Sequence, residues 1–131
     1  MDDKQLAIGR WVEKAEHDLR TAQTMLDQEN PPTDVICFHS QQTAEKLIKA
    51  FLVNSGQDFP PSHDLLRLLE LCIQHDPSFL ALAQSAIILN DYAVEVRYPD
   101  DWRKIEVEEA HEAVKQALQI REFILPKLKI L

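Results

Sequence analysis

Glycine and cysteine are scarce in this chain of 131 residues, which contains two of each. Two glycines cannot form a glycine-rich phosphate-binding loop, and no serine lies in a nucleophile-elbow motif. Conventional nucleotide hydrolases and acyl transferases are therefore excluded. Cys37 and Cys72 lie far apart in apolar contexts, and we expect both to be reduced core residues, because disulfides are rare in the cytoplasm.

Basic residues are in the minority, with 14 Lys and Arg against 22 Asp and Glu and a formal net charge of −8. A protein that holds nucleic acid along a wide surface needs many cations opposite the phosphates. Such a protein is disfavoured here. Any contact with a nucleotide or RNA is expected to be local.

Long apolar runs and metal-ligand patterns are also absent from the sequence. No stretch approaches the roughly 18 apolar residues of a membrane helix, and the start MDDKQLAIGRWVEK lacks the features of a signal peptide. None of the five histidines forms the His-x3-His pair that is typical of helical zinc sites. We therefore expect a soluble, cytoplasmic protein with no metal, no cofactor and no membrane association.

Helical periodicity runs through most of the chain. Apolar residues at three- and four-residue spacing predict a first helix over about 3–28. Thr33 is the predicted cap of a second helix, and Gly56 lies just past its end, where helix C-termini favour glycine. Ser62 is the predicted cap of a third, largely buried helix.

The second half of the chain continues this pattern after a proline. Asp76 followed by Pro77 predicts the start of a fourth helix that runs to about Leu89. The segment 92–103 breaks the helical period and is predicted to be a loop, and a last helix is expected over about 105–126. The fold class predicted for residues 1–131 is a single all-α domain, an antiparallel up-and-down bundle of four to five helices.

The stretch FHSQQTAEKLIKAFL in the second helix is unusually rich in hydrogen-bonding groups. A helical projection places His39, Gln42, Lys46 and Lys49 opposite the apolar side, where they form either a solvated face or a binding face. Gln41 projects to the core side instead. Because a buried amide without hydrogen bonds costs about 1–3 kcal/mol, its position predicts a fixed polar partner within the chain or between subunits.

Two further segments contain candidate binding residues. Arg97 is followed by Tyr98, so that a guanidinium group with nearby aromatic faces is available for phosphate and base contacts. The alternative is an ion pair of Arg97 with a neighbouring acid: Asp91, Glu95 or Asp100. His63 precedes the third helix and is a candidate, whereas its neighbour Asp64 is explained by its favourable position at a helix N-terminus.

In order and spacing, these segments resemble the HEPN family of small helical domains (higher eukaryotes and prokaryotes nucleotide-binding). The similar parts extend over nearly the whole chain: Trp11 with Ala15, Asp18, Leu19 and Ala22; Phe38-His39-x-Gln41-Gln42-x-Ala44-Glu45-Lys46 with Lys49-Ala50; His63-Asp64-Leu65; and Tyr92-x-Val94-x-x-Arg97-Tyr98-Pro99. The resemblance implies a homodimer, often encoded beside a minimal nucleotidyltransferase as a two-component system, commonly of toxin–antitoxin type.

Some branches of that family are ribonucleases with an Arg, four to six intervening residues and a His late in the chain. This sequence departs from the pattern, because seven residues separate Arg103 from His111, and Arg97 lies farther away. Arg10 and His17 have six residues between them, but they belong to the outward side of the first helix. The resemblance therefore favours a binding module over the alternative, a metal-independent ribonuclease.

The polar face of the second helix and the aromatic segment around Arg97 together predict a ligand or partner site. The side chains expected to line it are Arg97, Tyr98, His39, Gln42, Lys46 and His63, with no catalytic residue among them. The aromatic residues of segment 92–102 are expected to be exposed and so favour a homodimer, since interfaces are enriched in such residues. Whether a partner modifies Tyr92 or Tyr98, and whether the chain is toxin or antitoxin, is left open by the sequence.

Overall fold

The computed structural model describes residues 1–93 and 103–129, which are helical and contain no β-strand within these two ranges. The all-α bundle predicted from the sequence is confirmed. The five α-helices are α1 (Asp3–Leu26), α2 (Thr33–Asn54), α3 (Leu65–His75), α4 (Ala83–Asn90) and α5 (Val107–Ile124). Two 3-10 helices, Pro77–Leu82 and Leu125–Lys127, precede α4 and follow α5.

Helices α1 and α2 form an antiparallel hairpin. Early residues of α1 lie beside late residues of α2, because the Lys49 ammonium lies over the Trp11 ring, whereas Asp18 contacts His39. The connection from α2 to α3 then runs back along α2, since His63 lies against Glu45. This return path brings the start of α3 to the polar side chains of α2.

The apolar core is centred on α2. Its side chains Leu47, Ile48 and Leu52 are fully buried. Phe79, at the 3-10 turn, packs its ring 4.2 Å from that of Phe51 and 5.1 Å from that of Phe123, centroid to centroid. These contacts join α2, the turn and α5 into one core.

The two cysteines behave as the sequence predicts. Cys37 and Cys72 are buried and free, and burial raises the pKa of each thiol to about 12. A thiol with such a pKa is almost entirely protonated at neutral pH and is a poor nucleophile. Both are core residues.

Two of the predicted caps are wrong. Thr33 does not cap α2, since Pro32 occupies the cap position without a side-chain bond, and the Thr33 hydroxyl instead donates to the Ile105 carbonyl at 2.7 Å. Ser62 is not the cap of α3. That position belongs to Asp64, which accepts from the amides of Leu66 and Arg67, while Ser62 accepts from the amide of Asp64.

The other helix ends follow the predicted chemistry. Asp76 caps the next element with Pro77 in the first turn, although six residues of 3-10 helix precede α4. Gly56 has a φ of 72° just past the end of α2, a left-handed conformation that favours glycine. Among the described residues, no helix is both long and apolar enough to cross a membrane.

Candidate functional site

The Asp18 carboxylate of α1 lies between two basic side chains of α2. Its Oδ1 is 2.8 Å from the Nδ1 of His39, and its Oδ2 accepts a hydrogen bond from the Lys46 ammonium. His39 and Lys46 are seven residues apart, so two turns of helix bring them to the same side of α2. One carboxylate therefore fixes both basic groups.

This side of α2 is not an ordinary solvated face. The side chains of His39 and Lys46 are only 23% and 21% exposed to solvent, and the side chain of Asp18 is more buried still. Each basic group still has an open side, because among the described residues the Nε2 of His39 has no partner and the Lys46 ammonium bonds only to Asp18. Both groups are held in place: the Lys46 ammonium can still donate to a ligand, and the Nε2 of a neutral His39, whose Nδ1 donates to Asp18, can accept from one.

Glu45 organises a second polar cluster, more deeply buried than the first. Its carboxylate lies 2.9 Å from the Lys49 ammonium and 3.0 Å from the Nδ1 of His63, and it also accepts from Gln41 at 3.4 Å. Glu45 and Lys49 are both buried, whereas the side chain of His63 is 67% exposed. The buried ion pair thus supports a histidine that faces solvent.

Gln41 has the polar partner that its core position predicts, and that partner lies within the same chain. Its Nε2 donates to the His63 carbonyl at 3.1 Å, and its Oε1 accepts from the Nε2 of Gln42 at 2.7 Å. The amide is fully buried with both ends bonded. Gln41 therefore joins α2 to the segment that precedes α3.

Aromatic rings account for the burial of Lys49. Its ammonium lies 5.5 Å from the centroid of the Trp11 ring and 6.0 Å from that of Phe59, and the two rings meet edge to face at 6.4 Å. A cation over aromatic faces is electrostatically stabilised. The solvated alternative is therefore wrong for Lys49.

The structure brings together four of the six predicted site residues. We call them the basic strip: His39, Gln42, Lys46 and His63. Asp18 links His39 to Lys46, and Gln41 links Gln42 to His63. The other two predicted residues, Arg97 and Tyr98, lie outside the described residues.

Two carboxylates that hold this strip were not among the predicted site residues. Asp18 interrupts an otherwise apolar stripe of α1, and Glu45 occupies a buried position on α2. An acid within an apolar stripe is a usable sequence signal, because a buried charge requires a partner. The argument that predicts a polar partner for Gln41 predicts one for Asp18 as well.

Tyr92 and Arg103 both bind Glu109 of α5. The Tyr92 hydroxyl donates to Glu109, and the Arg103 guanidinium donates two bonds to the same carboxylate at 2.9 and 2.6 Å. The Arg103 bonds lower the pKa of Glu109, while burial and then the Glu109 bond raise the pKa of Tyr92. Tyr92 is buried, so the expectation of an exposed aromatic group is wrong at this position.

Comparison with known proteins places these residues in a family. The profile of the HEPN domain matches residues 8–128, a range that contains both clusters. The chain belongs to the HEPN domain family. No curated protein shows significant similarity to it.

Two solved structures resemble the HEPN domain described above. One is ST0689, an archaeal HEPN homologue, with 25% identity and a TM-score of 0.73 over 93% of this chain and 98% of that one. The other is TT1696 from Thermus thermophilus, with 30% identity and a TM-score of 0.73 over 92% of this chain and 98% of that one. The match therefore extends over nearly the full length of both relatives.

Proposed function

We propose that this HEPN domain is a non-catalytic module that dimerises and engages a minimal nucleotidyltransferase, a nucleotide or both, within a two-component system of toxin–antitoxin type. The observation that carries the proposal is the pairing of Asp18 with His39 and Lys46. The pairing fixes one donor, Lys46, and one acceptor, the Nε2 of a neutral His39, before a ligand arrives. Binding to fixed side chains avoids part of the entropy cost of ordering them, about 0.5–1.5 kcal/mol for each long side chain.

The charge balance around the strip favours a polar protein surface as the binding partner over a polyanion such as RNA. The ammonium groups of Lys46 and Lys49 are balanced by the carboxylates of Asp18 and Glu45. Little positive charge is left over, so recognition depends on hydrogen bonds and on the fit of the partner. A carboxylate or phosphate oxygen can accept from Lys46, and the Nε2 of a neutral His39 can accept from a hydroxyl or N–H donor of the partner.

The remaining predicted residues extend the proposed site. His63 presents an imidazole whose Nδ1 is held by Glu45, which leaves Nε2 for a partner. Arg97 and Tyr98 are also proposed to belong to the site, and this assignment rests on the sequence alone. The Nε2 of Gln42 is bonded to Gln41, which leaves the amide oxygen of Gln42 to accept from donors of the partner.

A homodimer is part of the proposal, and the 3-10 helix Pro77–Leu82 together with α4 supplies the face for the second copy. Leu80 and Ile87 retain 66% and 51% of their exposure, and no Asp, Glu, Lys or Arg occurs from 77 to 90. Two copies of a chain with a net charge of −8 repel each other unless they meet through a face of this kind. An uncharged apolar face is complementary to itself across a two-fold axis.

The alternative function, a metal-independent ribonuclease, receives less support from the arginine contacts. Such an enzyme needs an arginine that is free to stabilise charge on the phosphate. In the ribonuclease pattern this arginine lies late in the chain, and the two late arginines within the described ranges are both paired: Arg103 is bonded twice to Glu109, and Arg121 twice to Glu16 at 2.6 and 3.1 Å. Incubation of the purified protein with total RNA in EDTA tests this alternative: cleavage that is lost in His39→Ala would replace the binding proposal with an enzymatic one.

The direct test of the binding proposal is the affinity for the nucleotidyltransferase encoded in the neighbouring reading frame. Lys46→Ala removes a group of the strip, and Lys115→Ala removes an exposed lysine of α5 as a matched control. Loss of affinity in the first variant alone supports the proposal. Equal affinities in both variants and the unmodified protein would overturn it.

A further inference from the structure

Buried carboxylates fix which nitrogen of each histidine in the basic strip carries the proton. The Nδ1 of His39 lies 2.8 Å from Asp18, and the Nδ1 of His63 lies 3.0 Å from Glu45. An ionised carboxylate can only accept a hydrogen bond, so each Nδ1 is the donor. In a neutral imidazole the other nitrogen is then an acceptor. Both Nε2 atoms therefore accept, and neither has a partner among the described residues.

The orientation of the Gln42 amide is fixed in a similar way, through Gln41. The Nε2 of Gln41 donates to the His63 carbonyl at 3.1 Å and to the Glu45 carboxylate at 3.4 Å, two groups that only accept. The Oε1 of Gln41 therefore points to Gln42 and accepts from its Nε2 at 2.7 Å. This bond leaves the oxygen of Gln42 as the open end of the amide, and an amide oxygen is an acceptor.

The open groups of the basic strip are thus three acceptors and one donor group. The acceptors are the Nε2 of His39, the Nε2 of His63 and the Oε1 of Gln42, and the donor is the Lys46 ammonium. Positions 39, 42 and 46 share one stripe of α2 that is about 10 Å long, since a helix rises about 1.5 Å per residue. A partner surface that matches this stripe presents mainly donors.

The charges of the strip and of the chain favour a basic partner. The ammonium group of Lys46 is balanced by Asp18. That of Lys49 is balanced by Glu45, so with neutral imidazoles the ion pairs leave no excess of positive charge. The chain has a formal net charge of −8, which attracts a basic partner and repels an acidic one. Arginine combines a positive charge with several N–H donors and no acceptor.

We propose that the partner docks on the basic strip through a basic segment that contains arginine, whose guanidinium and backbone N–H groups donate to His39, His63 and Gln42. An oxygen of the same segment accepts from Lys46. A phosphate or carboxylate group brings acceptors and satisfies Lys46 alone, so it matches the strip less well. This inference rests on the proposed function and specifies the chemistry of the partner at that site.

The first test needs no partner, because it locates the imidazole protons in the isolated domain. Long-range proton–nitrogen NMR spectra at about pH 7.5, where histidine is ordinarily neutral, distinguish a protonated ring nitrogen from an unprotonated one. His39→Gln and His63→Gln assign the two rings. Both should carry the proton on Nδ1 and none on Nε2. A proton on Nε2 of either ring would overturn the inference and leave the proposed function intact.

The second test is the pH dependence of the affinity for the nucleotidyltransferase that the proposed function predicts, measured by calorimetry. Between about pH 7.5 and about pH 5.5 histidine ordinarily gains a proton, which turns Nε2 from an acceptor into a donor and adds a positive charge. The affinity should therefore fall about tenfold or more on acidification. A site for phosphate or carboxylate predicts the opposite change.

Substituted histidines show whether the strip is the origin of this fall. The double variant His39→Gln with His63→Gln has amides that do not titrate and should lose most of the pH effect. His63→Gln alone, at an exposed position, should lose part of it if the double variant does not fold. His111→Gln is the matched control, an exposed histidine of α5, and should keep the full effect.

The outcomes separate this inference from the proposed function. A complex that Lys46→Ala weakens but that tightens on acidification would overturn the arginine-bearing partner and support the proposed function. An equal fall of affinity in the double variant and the unsubstituted protein would also overturn the inference. Absence of any complex would overturn both.

Discussion

The imidazole Nδ1 of His39 lies 2.8 Å from the Asp18 carboxylate, which also binds Lys46. Removal of the carboxylate in Asp18→Ala leaves a partly buried ammonium without its counter-ion. Charge-assisted hydrogen bonds contribute about 1.5–3 kcal/mol, and we expect the free energy of unfolding in urea to fall by that amount. Glu13→Ala, an exposed acid of the same helix, should change it by less than about 0.5 kcal/mol. Equal losses of unfolding free energy in Asp18→Ala and Glu13→Ala would show that the contacts of Asp18 with His39 and Lys46 do not stabilise the fold.

Breaking the buried ion pair of Glu45 and Lys49 should reduce the free energy of unfolding more than Asp18→Ala does. Glu45→Ala leaves the Lys49 ammonium buried and unpaired, which should reduce the free energy of unfolding by about 3–5 kcal/mol. The double variant Glu45→Leu with Lys49→Met removes both charges and should recover most of this loss. A double-mutant cycle of urea denaturation, closed with the single variants Glu45→Leu and Lys49→Met, measures the coupling. Additive losses in the two single variants would show that the groups act independently.

Glu109 should make stability depend on pH on the acid side. Its pKa is lowered from the ordinary value of 4.5, mainly by hydrogen bonds from Arg103. The unfolded chain therefore binds this proton at higher pH than the folded one, so the contribution is present above about pH 4.5 and is lost as pH falls through the folded pKa. Glu109→Gln should be less stable at pH 7 and should lose less stability on acidification. Parallel pH profiles of the two proteins would contradict this.

Both cysteines should be unreactive while the protein is folded. Burial of Cys37 and Cys72 removes access, and the pKa of about 12 leaves almost no thiolate at neutral pH. An aromatic disulfide reagent should therefore label neither thiol in buffer and both in urea. The labelling rate should rise with the unfolded fraction. Fast labelling in buffer would show that the helices around the thiol open readily.

Arg97 stays a prediction from the sequence, and we expect it to act in binding more than in folding. Arg97→Ala should weaken partner binding about ten- to a hundredfold with little change in melting temperature, since an exposed ion pair contributes only about 0–1 kcal/mol. Arg97→Lys should recover part of the affinity, because an ammonium cannot replace a planar two-bond contact. A large drop in melting temperature with normal binding would instead make Arg97 a structural clamp.

The helices were predictable because their signals are local. The apolar stripe of the first helix, the cap at Asp76 and the glycine after α2 can all be read within a few residues of sequence. The prediction for Ser62 missed the cap by two residues, since Asp64 holds that position, whereas the prediction for Thr33 failed because its partner is distant. Thr33 bonds to a carbonyl 72 residues away, and no local pattern indicates such an acceptor.

The candidate site was predictable in composition but not in its contacts. The basic residues of α2 stand out in the sequence, yet the burial of Lys49 depends on Trp11 and Phe59, which lie in other elements. A long cationic side chain is mostly exposed in proteins, so composition alone favours the wrong environment. The homodimer, the nucleotidyltransferase partner and the toxin–antitoxin role stay predictions.

The proposal predicts a nucleotidyltransferase encoded in the neighbouring reading frame, and it is tested most directly by calorimetry of that protein with Lys46→Ala, the unsubstituted protein and Lys115→Ala. The proposal predicts a tight complex with the unsubstituted protein, a loss of about tenfold or more in Lys46→Ala at a temperature where that variant is folded, and no change in Lys115→Ala. Lys46 donates to Asp18 on one side and is open on the other, so its loss removes a fixed donor. No complex, or equal affinities for all three proteins, would contradict the proposal.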